Sequence, residues 1–227
     1  MGTEIKRCLI VSGAPEADIA YIKPLLPGAF VVAADSGYQK CRRLGAEPDI
    51  VVGDFDSSPV PEHTKELIVM PAHKDDTDTL AAIKIAMERG YTHLILVGAI
   101  GNRFDHSFSN VANLAYCLDR GVQAEIITPN EKLFISDGPF SFSGAGYGYF
   151  SLFAFGGVCR GLTIRGAEWE LTDYDLHPAT SMCQSNEVRG GECSISFREG
   201  RLLTVLSNDL QLRASYGVNT AVVGCSV

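Results

Sequence analysis

Short apolar runs alternate with stretches of helical period through the first 130 residues. Cys8-Leu9-Ile10-Val11, Phe30-Val31-Val32-Ala33-Ala34, Ile50-Val51-Val52 and Leu94-Ile95-Leu96-Val97 read as short buried strands, and Leu67-Ile68-Val69-Met70 and Ala124-Glu125-Ile126-Ile127 as further short strands. Between them, Pro15 to Leu26 fits a helix, with Pro15 near its start and Pro24 limiting its far end. Tyr38, Cys41 and Leu44 recur at helical spacing, and Gly45 closes that helix. Leu80, Ile83 and Met87 form the apolar stripe of a further helix that stops before Gly90. Phe108, Val111, Ala115 and Leu118 form the inward face of another, stopped by Gly121. This alternation predicts an α/β N-terminal domain over residues 1–130 with a mainly parallel sheet.

From Glu131 the texture changes: helical periodicity disappears, and glycines and aromatics crowd Phe140 to Tyr147. Tyr149 to Phe155, Gly161 to Ile164, Gly191 to Phe197 and Arg201 to Leu206 read as strands. Cys193, Ile195 and Phe197 alternate with serines at the two-residue period of a half-buried strand, and Glu199-Gly200 reads as a hairpin turn. Residues 131–207 are therefore expected to form an all-β sandwich C-terminal domain. Residues 208–227 form a tail that the pattern leaves unplaced.

Polar residues cluster just after the predicted strands. Asp35-Ser36-Gly37 closes the second, Gly53-Asp54-Phe55-Asp56 the third, and Gly98-Ala99-Ile100-Gly101-Asn102-Arg103-Phe104-Asp105-His106 follows a fifth. In a parallel sheet these carboxyl ends share one edge, where ligands bind. Asp54 and Asp56, at i and i+2, project to the same side if the backbone stays extended, and a pair of acids so held calls for a cation. A hard divalent ion, magnesium above all, suits such oxygen ligands; the alternative is an ordinary surface turn. Lys74-Asp75-Asp76-Thr77-Asp78 precedes a helix, where acids also serve as cap and dipole partners. The Gly98–Asp105 segment lacks the spacing of a P-loop or a dinucleotide fingerprint. Arg103 either grips phosphate oxygens or pairs with Asp105. His106 is a general base or a capping residue, and Trp169, the only tryptophan, is core or a platform for a flat cation.

A formal net charge of −8 over 227 residues makes a nucleic-acid backbone an unsuitable partner. The seven cysteines contain no CxxC pair and several sit in apolar runs, which points to reduced, buried thiols and a cytoplasmic location. No apolar run approaches the length of a membrane span, and no signal peptide is evident.

Taken as an ordered set, Ala34-Asp35-Ser36-Gly37, Gly53-Asp54-Phe55-Asp56-Ser57, Lys74-Asp75-Asp76-Thr77-Asp78 and Gly101-Asn102-Arg103-Phe104-Asp105-His106 resemble the motifs of thiamin pyrophosphokinases. Gly161-Leu162-Thr163-Ile164, Trp169-Glu170-Leu171-Thr172 and Ser185-Asn186-Glu187 look like the C-terminal domain of that family. Ser36 and Asn102 stand where the family often has glycine, and neither departure removes a charged group. The resemblance implies an α/β nucleotide-binding domain, a β-sandwich thiamin-binding domain, and a homodimer whose active sites are shared between subunits. It implies transfer of pyrophosphate from ATP to thiamin with Mg²⁺, giving AMP and thiamin diphosphate. By resemblance, Asp54, Asp56 and Asp78 hold the metal and catalyse. Asp35, Thr77, Asn102, Arg103 and Asp105 bind nucleotide, while Trp169, Ser185 and Asn186 bind thiamin. The rival readings are a haloacid-dehalogenase-like phosphatase, a pyrophosphokinase for another alcohol, and a non-catalytic nucleotide sensor.

Overall fold

The structure is a computed structural model that describes residues 5–55, 60–61, 64–71 and 75–208. Asp56, Ser57, Lys74, the seventh cysteine Cys225 and nearly all of the tail lie outside the described residues. The chain divides into two compact units between Ile135 and Ser136.

In the first unit the strands are β1 (Arg7–Val11), β2 (Phe30–Ala34), β3 (Ile50–Gly53), β4 (Leu67–Val69), β5 (His93–Val97), β6 (Gln123–Ile127) and β7 (Glu131–Ser136). The helices are α1 (Gly37–Arg43), α2 (Asp78–Glu88) and α3 (Phe104–Leu118). The strands lie side by side in the order β4-β3-β2-β1-β5-β6-β7, parallel throughout except for the antiparallel β7. The chain thus builds outward from β1 to the edge strand β4, then returns to lay β5 on the other side of β1. Strands covered on both faces read as unbroken apolar runs, and β1, β2, β3 and β5 are buried along almost their whole length. On one face, Leu9, Val11, Val31, Ala33, Val51, Ile95 and Val97 pack with Ile19, Ile22 and Cys41. Each fully buried aliphatic side chain contributes about 1.5–3 kcal/mol.

Three local expectations fail here. Residues 15–26 do not form one helix: only a 3₁₀ helix over Ala20–Leu25 appears. Asp18 accepts the Ala20 N–H at 2.8 Å, and Glu16 is drawn inward to Lys40 and Tyr21. The buried face of α2 is Ala81, Ala82, Ile83 and Ala86 rather than Leu80, Ile83 and Met87, because small residues let the helix sit close to β1, β2 and β3. In α3, Phe108 is 56% exposed, while Ser107, Asn110, Val111, Asn113, Leu114 and Cys117 are buried. That helix turns a polar edge inward, where it has backbone groups to satisfy.

The second unit contains β8 (Phe140–Ser143), β9 (Tyr149–Ala154), β10 (Cys159–Arg165), β11 (Leu171–Leu176), β12 (Asn186–Glu187), β13 (Glu192–Ser196) and β14 (Leu202–Ser207). One sheet runs β12-β9-β14 and the other β11-β10-β13-β8. Phe142 of β8 meets Phe150 of β9 edge to face, with centroids 5.2 Å apart, so side chains of the two sheets share a core. The predicted alternation of β13 is present, with Cys193 and Ile195 buried between exposed neighbours. Glu199-Gly200 is not a hairpin turn, since β13 and β14 belong to different sheets and the link carries the chain from one to the other. The six described cysteines are buried and free. Burial pushes the thiols of Cys8, Cys41 and Cys117 up to about 12, which keeps them protonated and unreactive.

Candidate active site

The reversal of strand order between β1 and β5 leaves a crevice at the carboxyl edge of the sheet. A cleft of about 450 Å³ occupies it. Ser12 to Pro15 after β1, Ala34 to Ser36 after β2, Asp54 after β3, Asp76 to Thr79 at the start of α2, and the loop after β5 with the first turns of α3 line it. Of the residues singled out from the sequence, Asp35, Asp54, Thr77, Asp78, Asn102, Arg103 and His106 meet here. Asp105 does not line the cleft; it is exposed and bound to Arg103. Trp169, Ser185 and Asn186 belong to the second unit.

Sequence reasoning missed the Ser12-Gly13-Ala14-Pro15 wall, together with Asp76, Thr79, Ser107 and Asn110. The rule that found Asp35, a polar or glycine residue directly after a buried strand, also fits Ser12-Gly13 after β1. The remainder depend on strand order, which the sequence does not display.

Asp35 and Asp54 are neighbours by construction. The Asp35 N–H donates to the Val52 carbonyl at 2.8 Å, and a Cβ added at Gly53 would lie 3.2 Å from the Asp35 Cα. A side chain there would crowd Asp35, so Asp54 starts from beside Asp35. Asp35 (φ 46°) and Phe55 (φ 55°) both adopt left-handed backbone, which for a bulky side chain is a strained state that concentrates at functional sites. The extended-strand premise for Asp54 and Asp56 fails at this point. With Phe55 left-handed, the pleat that would place two acids on one side ends at Gly53.

Thr77, not an aspartate, caps α2: its side-chain oxygen accepts the Leu80 N–H at 3.2 Å. Asp78 occupies the first helical turn, where the helix dipole favours a carboxylate. Asp76 is paired with Lys84 at 2.5 Å. Ser12 and Thr79 hydroxyls lie 3.0 Å apart and tie the end of β1 to α2.

The loop after β5 is pinned from within. Asn110 Nδ2 donates to the Ala99 carbonyl at 2.7 Å, and Ser107 Oγ both accepts the Gly101 N–H at 3.0 Å and contacts the Arg103 carbonyl at 3.0 Å. The Gly98 N–H donates to the Tyr21 hydroxyl. These glycine N–H groups are therefore committed internally, and the positive charge this loop offers an anion is Arg103. Its guanidinium makes a two-pronged pair with Asp105, Nε to Oδ1 at 3.0 Å and Nη2 to Oδ2 at 2.5 Å. Of the two sequence readings of Arg103, the ion pair is the one realised here, on an exposed rim where partner exchange costs little.

Among the described residues, no three acid, histidine or cysteine side chains stand close enough to cage a metal. Magnesium seldom needs such a cage; it binds one or two carboxylates together with phosphate oxygens and waters. The all-oxygen set of Asp35, Asp54 and Asp78 fits that ion in kind.

In the second unit, Trp169 is 59% exposed, so it is not a core residue. Buried Asn186 clasps its backbone: Oδ1 accepts the Trp169 N–H at 3.1 Å and Nδ2 donates to the Trp169 carbonyl at 2.8 Å. Ser185, left-handed at φ 58°, delivers Asn186 into that clasp.

A parallel sheet with an acid-lined cleft at its switch point, joined in sequence to a β-rich unit, places the chain among α/β proteins with a cleft shaped for a ligand and a separate second domain. Comparison with known proteins narrows this class. The family model for the thiamin pyrophosphokinase catalytic domain matches residues 25–126, and that for the vitamin B1 binding domain of the same enzyme matches residues 142–202. A thiamine pyrophosphokinase of Bacillus subtilis is 25% identical over 186 residues, spanning 78% of this chain and 87% of the relative. The crystal structure of a thiamin pyrophosphokinase from Geobacillus thermodenitrificans superposes with a TM-score of 0.79 at 29% identity, covering 89% of this chain and 98% of that one. That of the Bacillus subtilis enzyme gives 0.83 at 22% identity, covering 90% and 100%, a likeness of fold. The chain belongs to the thiamin pyrophosphokinase family.

The Arg103 pair generates a prediction. Hydrogen bonding to the guanidinium holds the Asp105 carboxyl well below the usual carboxylate range. Because the folded-state pKa is depressed, the pair persists above the ordinary carboxylate pKa and is lost only as pH falls through the lowered value. A carboxyl-carbon NMR titration is expected to show this shift, and Arg103→Gln to return Asp105 toward the ordinary range. An Asp105 that titrates normally in the unmodified protein refutes the pair.

Proposed function

We propose that the chain is a thiamine diphosphokinase that moves the pyrophosphoryl group of ATP onto the hydroxyethyl oxygen of thiamin, releasing AMP. The observation that carries this reading is the convergence of Asp35, Asp54, Asp78 and Arg103 on one cleft at the switch point of the sheet. The thiamin oxygen attacks the β-phosphorus in line, the bond from that phosphorus to the α-phosphate oxygen breaks, and the electron pair leaves with AMP. The hydroxyl proton passes to a carboxylate of the cleft. Such transfers depend chiefly on positioning and charge stabilisation. Asp54 and Asp78, together with Asp56, would hold Mg²⁺, which would supply charge neutralisation for the phosphates. Arg103 exchanges Asp105 for phosphate oxygens, with Thr77 and Asn102 shaping the nucleotide end and Asp105 acting from the rim through Arg103. The exposed face of Trp169 stacks on the cationic vitamin, with Ser185 and Asn186 beside it.

The reading includes a homodimer, in which the α/β unit of one subunit and the β unit of its partner complete each site. The exposed pair Phe104 and Phe108, next to the cleft-lining residues of α3, supports a buried interface there, as does exposed Met182 in the second unit. Buried, free thiols support a reducing cytoplasm. No helix among the described residues is long and apolar enough to cross a membrane. The net charge of −8 supports small-molecule substrates over nucleic acid.

The deciding experiment is AMP release from Mg-ATP with and without thiamin. AMP that appears only with thiamin is the expected result; phosphate release without thiamin would instead identify a phosphatase. Asp54→Asn is expected to lower kcat by about 10³-fold, several kcal/mol of transition-state stabilisation, with an unchanged circular dichroism spectrum. Near-normal turnover in that variant removes Asp54 from the chemistry. Trp169→Ala is expected to raise the thiamin KM about tenfold while leaving the ATP KM alone, as loss of a 1–2 kcal/mol stacking contact requires. Equal effects on both substrates would count against stacking.

A further inference from the structure

A closed ring of hydrogen bonds lies behind the cleft and takes no part in the chemistry above. Lys40 of α1 is 6% exposed, and its Nζ donates to the Ala14 carbonyl at 2.5 Å and to Glu16 Oε2 at 2.9 Å. The other Glu16 oxygen accepts the Tyr21 hydroxyl at 2.7 Å. That hydroxyl in turn accepts the Gly98 N–H at 3.2 Å. The Gly98 carbonyl then accepts the Ala14 N–H at 2.9 Å, which closes the circuit. Gly98 has φ 62°, and a Cβ there would lie 2.2 Å from the Lys40 Nζ, so the ammonium packs directly against it. Ala14 and Gly98 both line the cleft, on the two loops that part at the switch point.

A buried ion pair is a poor device for stability, since apolar residues of the same volume often serve as well. Its distinctive property is geometric: each group is satisfied in one arrangement only. Resting on the kinase reading, we infer that Lys40 is a positioning residue for the nucleotide. Through Ala14 and Gly98 it fixes the gap between the loop after β1 and the loop after β5, and so the place from which Asn102 and Arg103 meet the triphosphate.

The pH behaviour follows from what surrounds the ammonium. Burial lowers the Lys40 pKa, the hydrogen bond and charge of Glu16 raise it, and Arg43 and Cys41 on its own helix act more weakly in opposite senses. Tyr21, from the 3₁₀ helix, is held protonated by burial and by Glu16. The loop at Gly98 and the end of β1 bring no titratable group against it. Because its folded-state pKa lies below that of a free lysine, the proton is lost earlier as pH rises, and the ring loses its donor to Ala14. Activity toward ATP is therefore expected to fall on the alkaline side, and Glu16→Gln to move that limb to lower pH.

The test compares wild type with Lys40→Met, Lys40→Arg, Glu16→Gln and the neutralised double variant Glu16→Gln with Lys40→Met. Lys40→Met is expected to lower kcat/KM for ATP on the order of 10²-fold, as a displacement of about 1 Å does, with the thiamin KM unchanged. Lys40→Arg, too large for the space under Gly98, is not expected to restore it. Thermal melting monitors the fold, and the double variant stands in if the lone buried Glu16 carboxylate prevents Lys40→Met from folding. Folded Lys40→Met or double variant with wild-type kcat/KM for ATP, or an alkaline limb unmoved in Glu16→Gln, overturns the proposal. Calorimetric binding of Mg²⁺ with α,β-methylene-ATP, inert at the bond that breaks, separates the two readings. Wild type that binds this analogue but makes no AMP overturns the kinase reading alone, and the variants' affinities then decide for Lys40. Wild type that does neither overturns both.

Discussion

The parallel pairing of β1 on both of its edges is the constraint from which the rest follows. Val11, its last residue, is opposite Ala33 on one side and Val97 on the other, and Ala34 is opposite Val52 one strand further out. The ends of β5, β1, β2 and β3 are thereby aligned within three strand spacings, about 15 Å. Once that register is set, Ser12, Asp35, Asp54 and Gly98 have nowhere else to emerge. The chain reverses direction across the sheet at β1, and the loops after β1 and β5 separate there to leave room for a ligand.

That room carries an electrostatic difficulty. Asp35, Asp54, Asp76 and Asp78 face a common space, and an anionic ligand that enters it meets their negative charge. The described cations nearby already have acidic partners: Lys84 has Asp76, Arg103 has Asp105, and Lys40 has Glu16. Under the proposed function, a triphosphate entering this cleft meets none of these three cations unpaired. Either a pair must open or a divalent ion must come with the phosphates. Arg103 and Asp105, both well exposed, form the pair that opens most readily, whereas the buried Lys40–Glu16 pair is built to stay closed. This difference in burial suits Arg103 to the substrate role proposed for it and Lys40 to the architectural one.

The two-part organisation was legible because period changes sharply near Glu131, from helical stripes to glycine- and aromatic-rich strands. Asp35, Asp54 and Asp78 were legible because each follows or precedes a strongly patterned element. What escaped depended on side-chain competition. Alanines rather than larger residues face the sheet from α2, and α3 turns Ser107 and Asn110 inward because the loop after β5 has backbone groups that need partners. Hydrophobicity cannot report that demand, so Phe108 was placed inside. The link at Glu199-Gly200 was misread for a related reason: a turn signal marks a change of direction and says nothing of which sheet the next strand joins. Strand order, the fact that makes Ser12 to Pro15 a wall of the cleft, leaves no local trace at all.

Trp169, the side chain proposed to stack on thiamin, is held without being buried. A tryptophan exposed to solvent is free to reorient, and ordering it on contact with a ligand costs affinity. The Asn186 amide removes part of that cost by fixing the backbone on both sides of the indole. Its Oδ1 accepts from Trp169 and from Glu187 at 2.9 Å, and one Nδ2 hydrogen goes to the Trp169 carbonyl. An asparagine amide has two acceptor sites and two N–H donors, so a single N–H is left for anything else. Under the proposed thiamin reading, Asn186 acts mainly through the ring it steadies, and any direct bond from its Nδ2 to the pyrimidine must use that remaining hydrogen.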